Sequence, residues 1–327
     1  MKSHFFILIL ITGFLISCKK EKKADFSADK IDLVLNEKRV LILGNSITQN
    51  GRYVDFLEYY IRKQYPNNPL DIISIGLSGE TISGTTEIGR EFPRPNVRKR
   101  LDNALSEIKP DLVIACYGMN DGNYSPLDSL RFEAYKDGIL ELKTKAAAIN
   151  AKLILMTPTV FDPNPISDRL SKENETYEYW HPYFKYNNVL EAYSNWLLSI
   201  ETEELKVVDL HHHLDSMLTA MKSIKSDSTF IPDGVHPNNI GHFYMAQKIL
   251  KDLYPEISIE NPIAEIEHLE ADSLYNLVLK RRELRSEGWR YFIGYTSKEK
   301  LFKTDSILPI EMEVEKLDLA IDQLLKQ

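Results

Sequence analysis

Five short apolar runs recur along the first two thirds of the chain: Arg39 to Leu43, Leu70 to Ile75, Leu112 to Cys116, Lys152 to Met156 and Lys206 to Leu210. Their hydrophobicity is continuous rather than alternating, which predicts strands covered on both faces. Apolar residues recur at helical spacing over Tyr53 to Tyr65, Val97 to Ile108, Leu127 to Ile149, Asn187 to Ile200 and Ile240 to Tyr254. Strands that each lead into a helix predict an α/β fold with a parallel sheet between two helical layers. In such sheets ligands bind at the carboxyl ends of the strands, so the residues just after each run are where chemistry is expected.

The two ends of the chain depart from this alternation. Lys2 is followed by an unbroken apolar run, Phe5 to Ile16, and then by Ser17-Cys18 and the polar stretch Lys19 to Lys23. A run this short cannot span about 30 Å of hydrocarbon at about 1.5 Å per residue, so residues 1–17 are expected to be a signal peptide rather than a transmembrane helix. The junction Leu15-Ile16-Ser17-Cys18 resembles the lipobox of bacterial lipoproteins, which implies a lipidated Cys18, a tether over residues 18–37 and residence at the bacterial cell envelope, with the membrane engaged through the lipid alone. Beyond Tyr254, Pro262 is expected to open a helix with Ile263, Ile266, Leu269, Leu277 and Leu284 on or near one face, and Pro309 another through Ile310, Val314, Leu317, Ile321 and Leu324. The aromatics Trp289, Tyr291, Phe292 and Tyr295 lie between them. Residues 38–255 are thus expected to form the main domain and 256–327 a helical extension packed on it.

Composition narrows the class. Of 327 residues 43% are hydrophobic and 27% charged, with 14 Gly and 15 Pro, which excludes a disordered or low-complexity chain. Lys plus Arg number 40 against 48 Asp plus Glu, a net charge of −8, so there is no basic surplus to neutralise phosphates and no nucleic-acid partner is expected. Cys116 is the one cysteine besides Cys18, and sits in an apolar run, so no disulfide framework can form within the chain.

The strand ends carry the candidate chemistry. The first run empties into Gly44-Asn45-Ser46-Ile47-Thr48, the second into Gly76-Leu77-Ser78-Gly79-Glu80 and the third into Gly118-Met119-Asn120-Asp121, while Asp233-Gly234-Val235-His236-Pro237 precedes the last helix of the main domain. A serine hydroxyl is a weak nucleophile until a base accepts its proton, and histidine suits that role near neutral pH. Asp233 and His236, three residues apart, allow a carboxylate to hold the imidazole while its other nitrogen faces Ser46. Singly, each segment also reads as a turn, a loop or a helix cap. Their joint occurrence in order, over roughly residues 39 to 254, resembles the SGNH, or GDSL-like, hydrolase family. The resemblance implies an α/β/α sandwich, a serine esterase with Ser46, Asp233 and His236 as catalytic residues, and an oxyanion hole made by the backbone N–H groups of Ser46 and Gly79 and the side-chain amide of Asn120, with no cofactor.

Asn45 stands where the family commonly has Asp, which keeps a turn-favouring polar side chain and loses a charge. No Gly-x-Ser-x-Gly surrounds any serine, which disfavours a nucleophile elbow. The run His211-His212-His213 suggests a metal site at first sight, but consecutive imidazoles diverge on a helix or a strand, and no His-Glu-x-x-His or Cys-x-x-Cys spacing accompanies them, so no metal is expected. The long connection Asp162 to Asn188 holds Tyr177, Tyr179, Trp180, Tyr183, Phe184 and Tyr186. Such rings suit stacking on sugars or packing of the insertion onto the sheet, and Trp180 and Tyr183 are the candidate substrate contacts. The expected substrate is a small-molecule or glycan ester, with a carbohydrate O-acetyl group as the leading form. A lipolytic or thioester hydrolase, or a catalytically silent carbohydrate-binding lipoprotein of the same fold, stands as the alternative.

Overall fold

The computed structural model describes residues 39–68 and 70–326. The expected signal peptide, Cys18 and the expected tether therefore lie outside the described residues. Five parallel strands form the central sheet in the order β2-β1-β3-β4-β5: β1 (Arg39–Gly44), β2 (Asp71–Ser74), β3 (Leu112–Cys116), β4 (Lys152–Met156) and β5 (Leu205–Val208). Alternate residues of each strand enter opposite cores. Val40, Ile42, Ile114 and Ile154 face one helical layer, and Leu41, Leu43, Val113 and Leu153 the other. That two-sided burial is why the runs carry no polar alternation.

The first layer holds α2 (Arg52–Gln64), α6 (Leu210–Ile224) and α7 (Asn239–Leu253), and the second holds α3 (Leu101–Ile108), α4 (Ser129–Ala148) and α5 (Tyr186–Ser199). A five-residue helix, α1 (Ser46–Asn50), directly follows β1. The sheet is laid down from β1 outward to β2 and then across to β3 on the other side of β1, so the chain changes direction at the carboxyl ends of β1 and β3. A crevice opens at such a point, and Ser46 and Asn120 leave these two strands.

Three expected boundaries shift. Val97 to Ile108 is a 3-10 turn, Val97–Lys99, and then α3, interrupted at Arg100, whose backbone departs from helical geometry at φ −122° and ψ −4° while its side chain is buried against Glu80. The last strand ends at Val208, because Asp209 caps α6 by accepting from His212 N, which draws Leu210 into the helix. The helix after Pro262 is two, α8 (Pro262–Ala271) and α9 (Ser273–Ile293), separated by Asp272, whose carboxylate accepts from the backbone N–H groups of Leu274 and Tyr275. A short hairpin of β6 (Tyr295–Ser297) and β7 (Lys300–Phe302) follows, then α10 (Leu308–Leu325).

The extension packs on the first layer through buried arginines. Arg282 Nε and Nη2 meet Asp55 Oδ1 and Oδ2 on α2 at 2.5 and 2.7 Å. Arg281 reaches Glu58 at 2.9 Å and Asp318 at 2.6 Å. No helix among the described residues is long and apolar enough to cross a membrane.

Candidate active site

Asn45 follows β1 and caps α1, its Oδ1 accepting from Ile47 N at 3.0 Å. The capping that an aspartate would provide is therefore retained by the amide, and what the substitution removes is a negative charge beside Ser46. Placing Ser46 at the first position of α1 puts its backbone N–H among the donors that a helix start leaves without an intrahelical acceptor. Ser46 Oγ lies 2.8 Å from His236 Nε2, and His236 Nδ1 lies 2.7 Å from Asp233 Oδ2.

The loop holding the acid and the base is fixed by its own backbone. Asp233 Oδ1 accepts from the N–H groups of Val235 at 3.0 Å and His236 at 2.7 Å. Burial would raise the Asp233 carboxyl, but these N–H groups and the His236 ring outweigh it and hold the group down to about 2. The carboxylate is thus charged wherever the imidazole must be oriented. Gly234 turns the loop at φ 84°, and a Cβ there would stand 2.7 Å from Ile166 Cδ1 and 3.0 Å from Asp162 O, so only glycine closes it without displacement.

The residues after β2 and β3 meet one another. Asn120 Nδ2 donates to Glu80 O at 3.1 Å while its Oδ1 accepts from the Tyr124 hydroxyl at 2.9 Å, which fixes the amide and leaves one Nδ2 hydrogen free. Gly79 takes φ 75°. Neither its N–H nor that of Ser46 finds a backbone acceptor among the described residues. Gln49 of α1 accepts from Ser78 N at 2.6 Å, tying the loop after β2 to the helix that carries Ser46.

The supporting residues escape a reading of the sequence. Glu80 is fully buried, accepts from Arg100 at 2.7 Å on each oxygen and takes the Tyr117 hydroxyl at 2.7 Å. Asp121, also fully buried, accepts from the N–H groups of Ile82, Ser83 and Gly118 at 2.8 to 2.9 Å, joining the loops that bear Gly79 and Asn120. The one hint of either in the sequence is position: both follow a candidate residue directly.

Ser46, His236, Gln49, Ser78 and His242 line a cleft of about 360 Å³. His242, on α7, lies parallel to the Tyr53 ring at 6.0 Å between centroids, and burial, reinforced by Arg282 and Arg52, pulls its imidazole down to about 3, so it stays neutral. The aromatic insertion reaches the site through Tyr179, whose ring centroid lies 6.3 Å from that of His236 and whose hydroxyl approaches Asp233 Oδ2 at 3.5 Å. Trp180 packs edge-on against Tyr179 and is 60% exposed, whereas Tyr183 is buried between Tyr177 and Phe184. The histidine run divides on α6: His211 is buried and His212 pairs with Asp209. No group of three or more potential metal ligands occurs among the described residues.

Known proteins share this architecture. A gut microbial diltiazem-metabolizing enzyme superimposes with a TM-score of 0.52 at 20% identity, covering 66% of this chain and 47% of its own, so the chain spans about half the length of that enzyme. A catalytic mutant of Axe2, an acetylxylan esterase from Geobacillus stearothermophilus, superimposes with a TM-score of 0.52 at 18% identity over 70% of this chain and 100% of its own. At these identities the likeness is one of fold. A search of curated protein sequences returned no significant match. The sequence profile of the GDSL-like Lipase/Acylhydrolase family matches residues 42–242, more than half of the chain and every strand end just described. The order of strands, the Ser46 to Asp233 hydrogen-bond chain and that match agree: this chain belongs to the GDSL-like lipase/acylhydrolase family, hydrolases acting on esters.

Proposed function

We propose that the protein is a serine esterase that hydrolyses carboxylic esters through an acyl-enzyme on Ser46, with the O-acetyl group of a carbohydrate as its substrate. The observation that carries the reading is the relay from Ser46 Oγ through His236 to Asp233, at 2.8 and 2.7 Å, opening on the cleft. In this reading His236 Nε2 accepts the Ser46 proton as Oγ bonds to the ester carbonyl carbon, while Asp233 steadies the imidazolium through Nδ1–H. The carbonyl oxygen gains its negative charge facing the N–H groups of Ser46 and Gly79 and the free Nδ2 hydrogen of Asn120. Collapse of the tetrahedral intermediate breaks the bond to the alcohol, which leaves with the proton from His236. Water, deprotonated by the same nitrogen, then attacks the acyl carbon and releases the acid, and the proton returns to Ser46.

The sugar is favoured by two features: the exposed Trp180, which packs on the Tyr179 that neighbours the relay, and the fold shared with an acetylxylan esterase. The test is hydrolysis of a short-chain aryl ester and of acetylated glycans by purified protein beginning at residue 24, with acetate release as readout. Ser46→Ala should leave only a small residual rate, and full activity in that variant would overturn the mechanism. We also infer that Cys18 carries lipid, which holds the enzyme at the cell envelope. Wild-type protein should then partition into detergent, and Cys18→Ser should move it to the soluble fraction or stall its processing.

A further inference from the structure

A second cavity, of about 400 Å³, lies behind the loop after β2, between that loop, the start of α3 and the β6–β7 hairpin. The loop is the common wall of the two cavities: Ser78 lines the cleft, and Leu77 and Glu80 line this one. Five basic side chains face it, Arg94, Lys99, Arg100, Lys298 and Lys303, against the carboxylates of Glu80 and Glu299. Glu80 is already held by Arg100, and Arg94 by Glu87. No acidic partner lies within ion-pair distance of Lys99, Lys298 or Lys303 among the described residues. In a chain of net charge −8 this is a local reversal of sign.

Two further observations indicate a ligand rather than an idle surface. Arg100 is 4% exposed, and while its Nε and Nη2 engage Glu80, its buried Nη1 has no acceptor among the described residues. At the hairpin tip, Lys298 and Glu299 take φ of 47° and 61°, where a two-residue turn ordinarily selects Asn-Gly. The tip thus presents charged side chains from positions at which glycine would be less strained. Tyr295 and Leu301 supply accessible apolar surface, and Asn103 and Thr296 supply polar groups.

We propose that this cavity is an accessory binding site for an acidic saccharide, a sugar ring whose carboxylate is held by Lys298 and Lys303 with Lys99 at the opposite wall. The ring face rests on Tyr295 and Leu301, and its hydroxyls meet Asn103 and Thr296. Occupancy would brace the loop that carries Gly79 from the side away from Ser46. The site does not depend on the acyl-transfer reading, because none of its residues belongs to the relay.

The test is calorimetric titration of the Ser46→Ala protein with a short oligogalacturonide, beside a neutral xylo-oligosaccharide of equal length, inorganic phosphate and benzoate. Saturable binding of the oligogalacturonide is expected, weakening as salt is raised, while the neutral sugar, phosphate and benzoate bind at least about tenfold more weakly. Lys298→Ala combined with Lys303→Ala should raise its Kd by about tenfold or more with an unchanged melting temperature, since both side chains are exposed. Lys298→Glu with Lys303→Glu should abolish binding. Absence of saturable binding, equal binding of the neutral sugar, or affinity untouched by the lysine substitutions would overturn the site. Tight binding of phosphate or benzoate alone would overturn the saccharide.

Discussion

Arg282→Ala measures how firmly the extension is bound into the catalytic layer. In the native protein the guanidinium and Asp55 form a bidentate pair whose side chains are 4% and 0% exposed, and although burial opposes its charge, Asp55 holds Arg282 above the usual arginine range. Truncation leaves the Asp55 carboxylate in the interior, with Arg52 as the next cation at 3.8 Å. Arg52 cannot take over the role, because its side chain is one-third exposed and meets Asp55 through one nitrogen at 3.8 Å rather than in the same two-pronged geometry. Removing one partner of a buried pair costs about 3–5 kcal/mol. At about 2–4 °C per kcal/mol for a domain of this size, the melting temperature should fall by on the order of 10 °C. The control is Arg282→Met with Asp55→Leu, which removes both charges and should recover most of the loss, because an apolar pair of similar volume avoids the desolvation of two ions. Urea melts of the wild type, both single variants and the double variant supply the cycle. A loss below about 1 kcal/mol in Arg282→Ala, or a double variant as unstable as the sum of the singles, would refute the reasoning.

Asn120→Ala should lower kcat by about 10²–10³ with little change in KM, because in the proposed mechanism its free amide hydrogen meets charge that develops only in the transition state. Loss confined to KM in steady-state kinetics would reassign it to substrate binding. The lowered carboxyl of Asp233 contributes stability that is present above 3.8, its unfolded value, and is lost as pH falls toward about 2. Asp233→Asn should flatten that part of the acid unfolding curve, and an unchanged curve would count against the hydrogen-bonded carboxylate. Trp180→Ala should reduce kcat/KM on an acetylated glycan while sparing an aryl acetate, and Tyr183→Ala should instead lower the melting temperature through a loss of about 3–5 kcal/mol, as for other buried aromatics. Equal losses on both substrates in Trp180→Ala would withdraw it from sugar contact.

The sheet was legible because burial on both faces leaves continuous apolar runs, and the relay because Ser46, Asp233 and His236 occupy loops that follow or precede such runs. The extension was not legible in the same way. On α9 the positions that turn inward include Arg281, Arg282, Arg285 and Arg290 beside Tyr275 and Val278, so a face that reads as solvated is buried. Hydrophobic periodicity cannot reveal an arginine whose partner, Asp55 or Glu58, lies more than 200 residues away. Glu80 and Asp121 were hidden for the same reason: a buried carboxylate is identified by the donors that surround it, and those come from three separate loops. The break at Asp272 was hidden by the apolar residues on either side of it, although Asp is a good cap and its own side chain ends the run.

The family match ends at residue 242, yet the loop bearing Gly79 is held from both sides of that boundary. From within it, Arg100 Nη2 donates to Ile75 O at 2.8 Å while the same guanidinium fixes Glu80, whose backbone carbonyl orients the Asn120 amide. From beyond it, Arg290 Nε on α9 donates to Gly76 O at 2.8 Å. These are charge-assisted bonds to backbone carbonyls one residue after another just beyond β2, while the N–H groups of Ile75 and Leu77 still donate to Ile42 and Gly44 of β1. The loop therefore emerges from the sheet already committed in direction, and Gly79 supplies the left-handed turn that follows. The proposed oxyanion site requires donors fixed before charge appears, and in that reading Arg290 of the extension contributes part of the fixation. The extension is thereby in direct contact with the loop that bears Gly79 rather than standing apart from it.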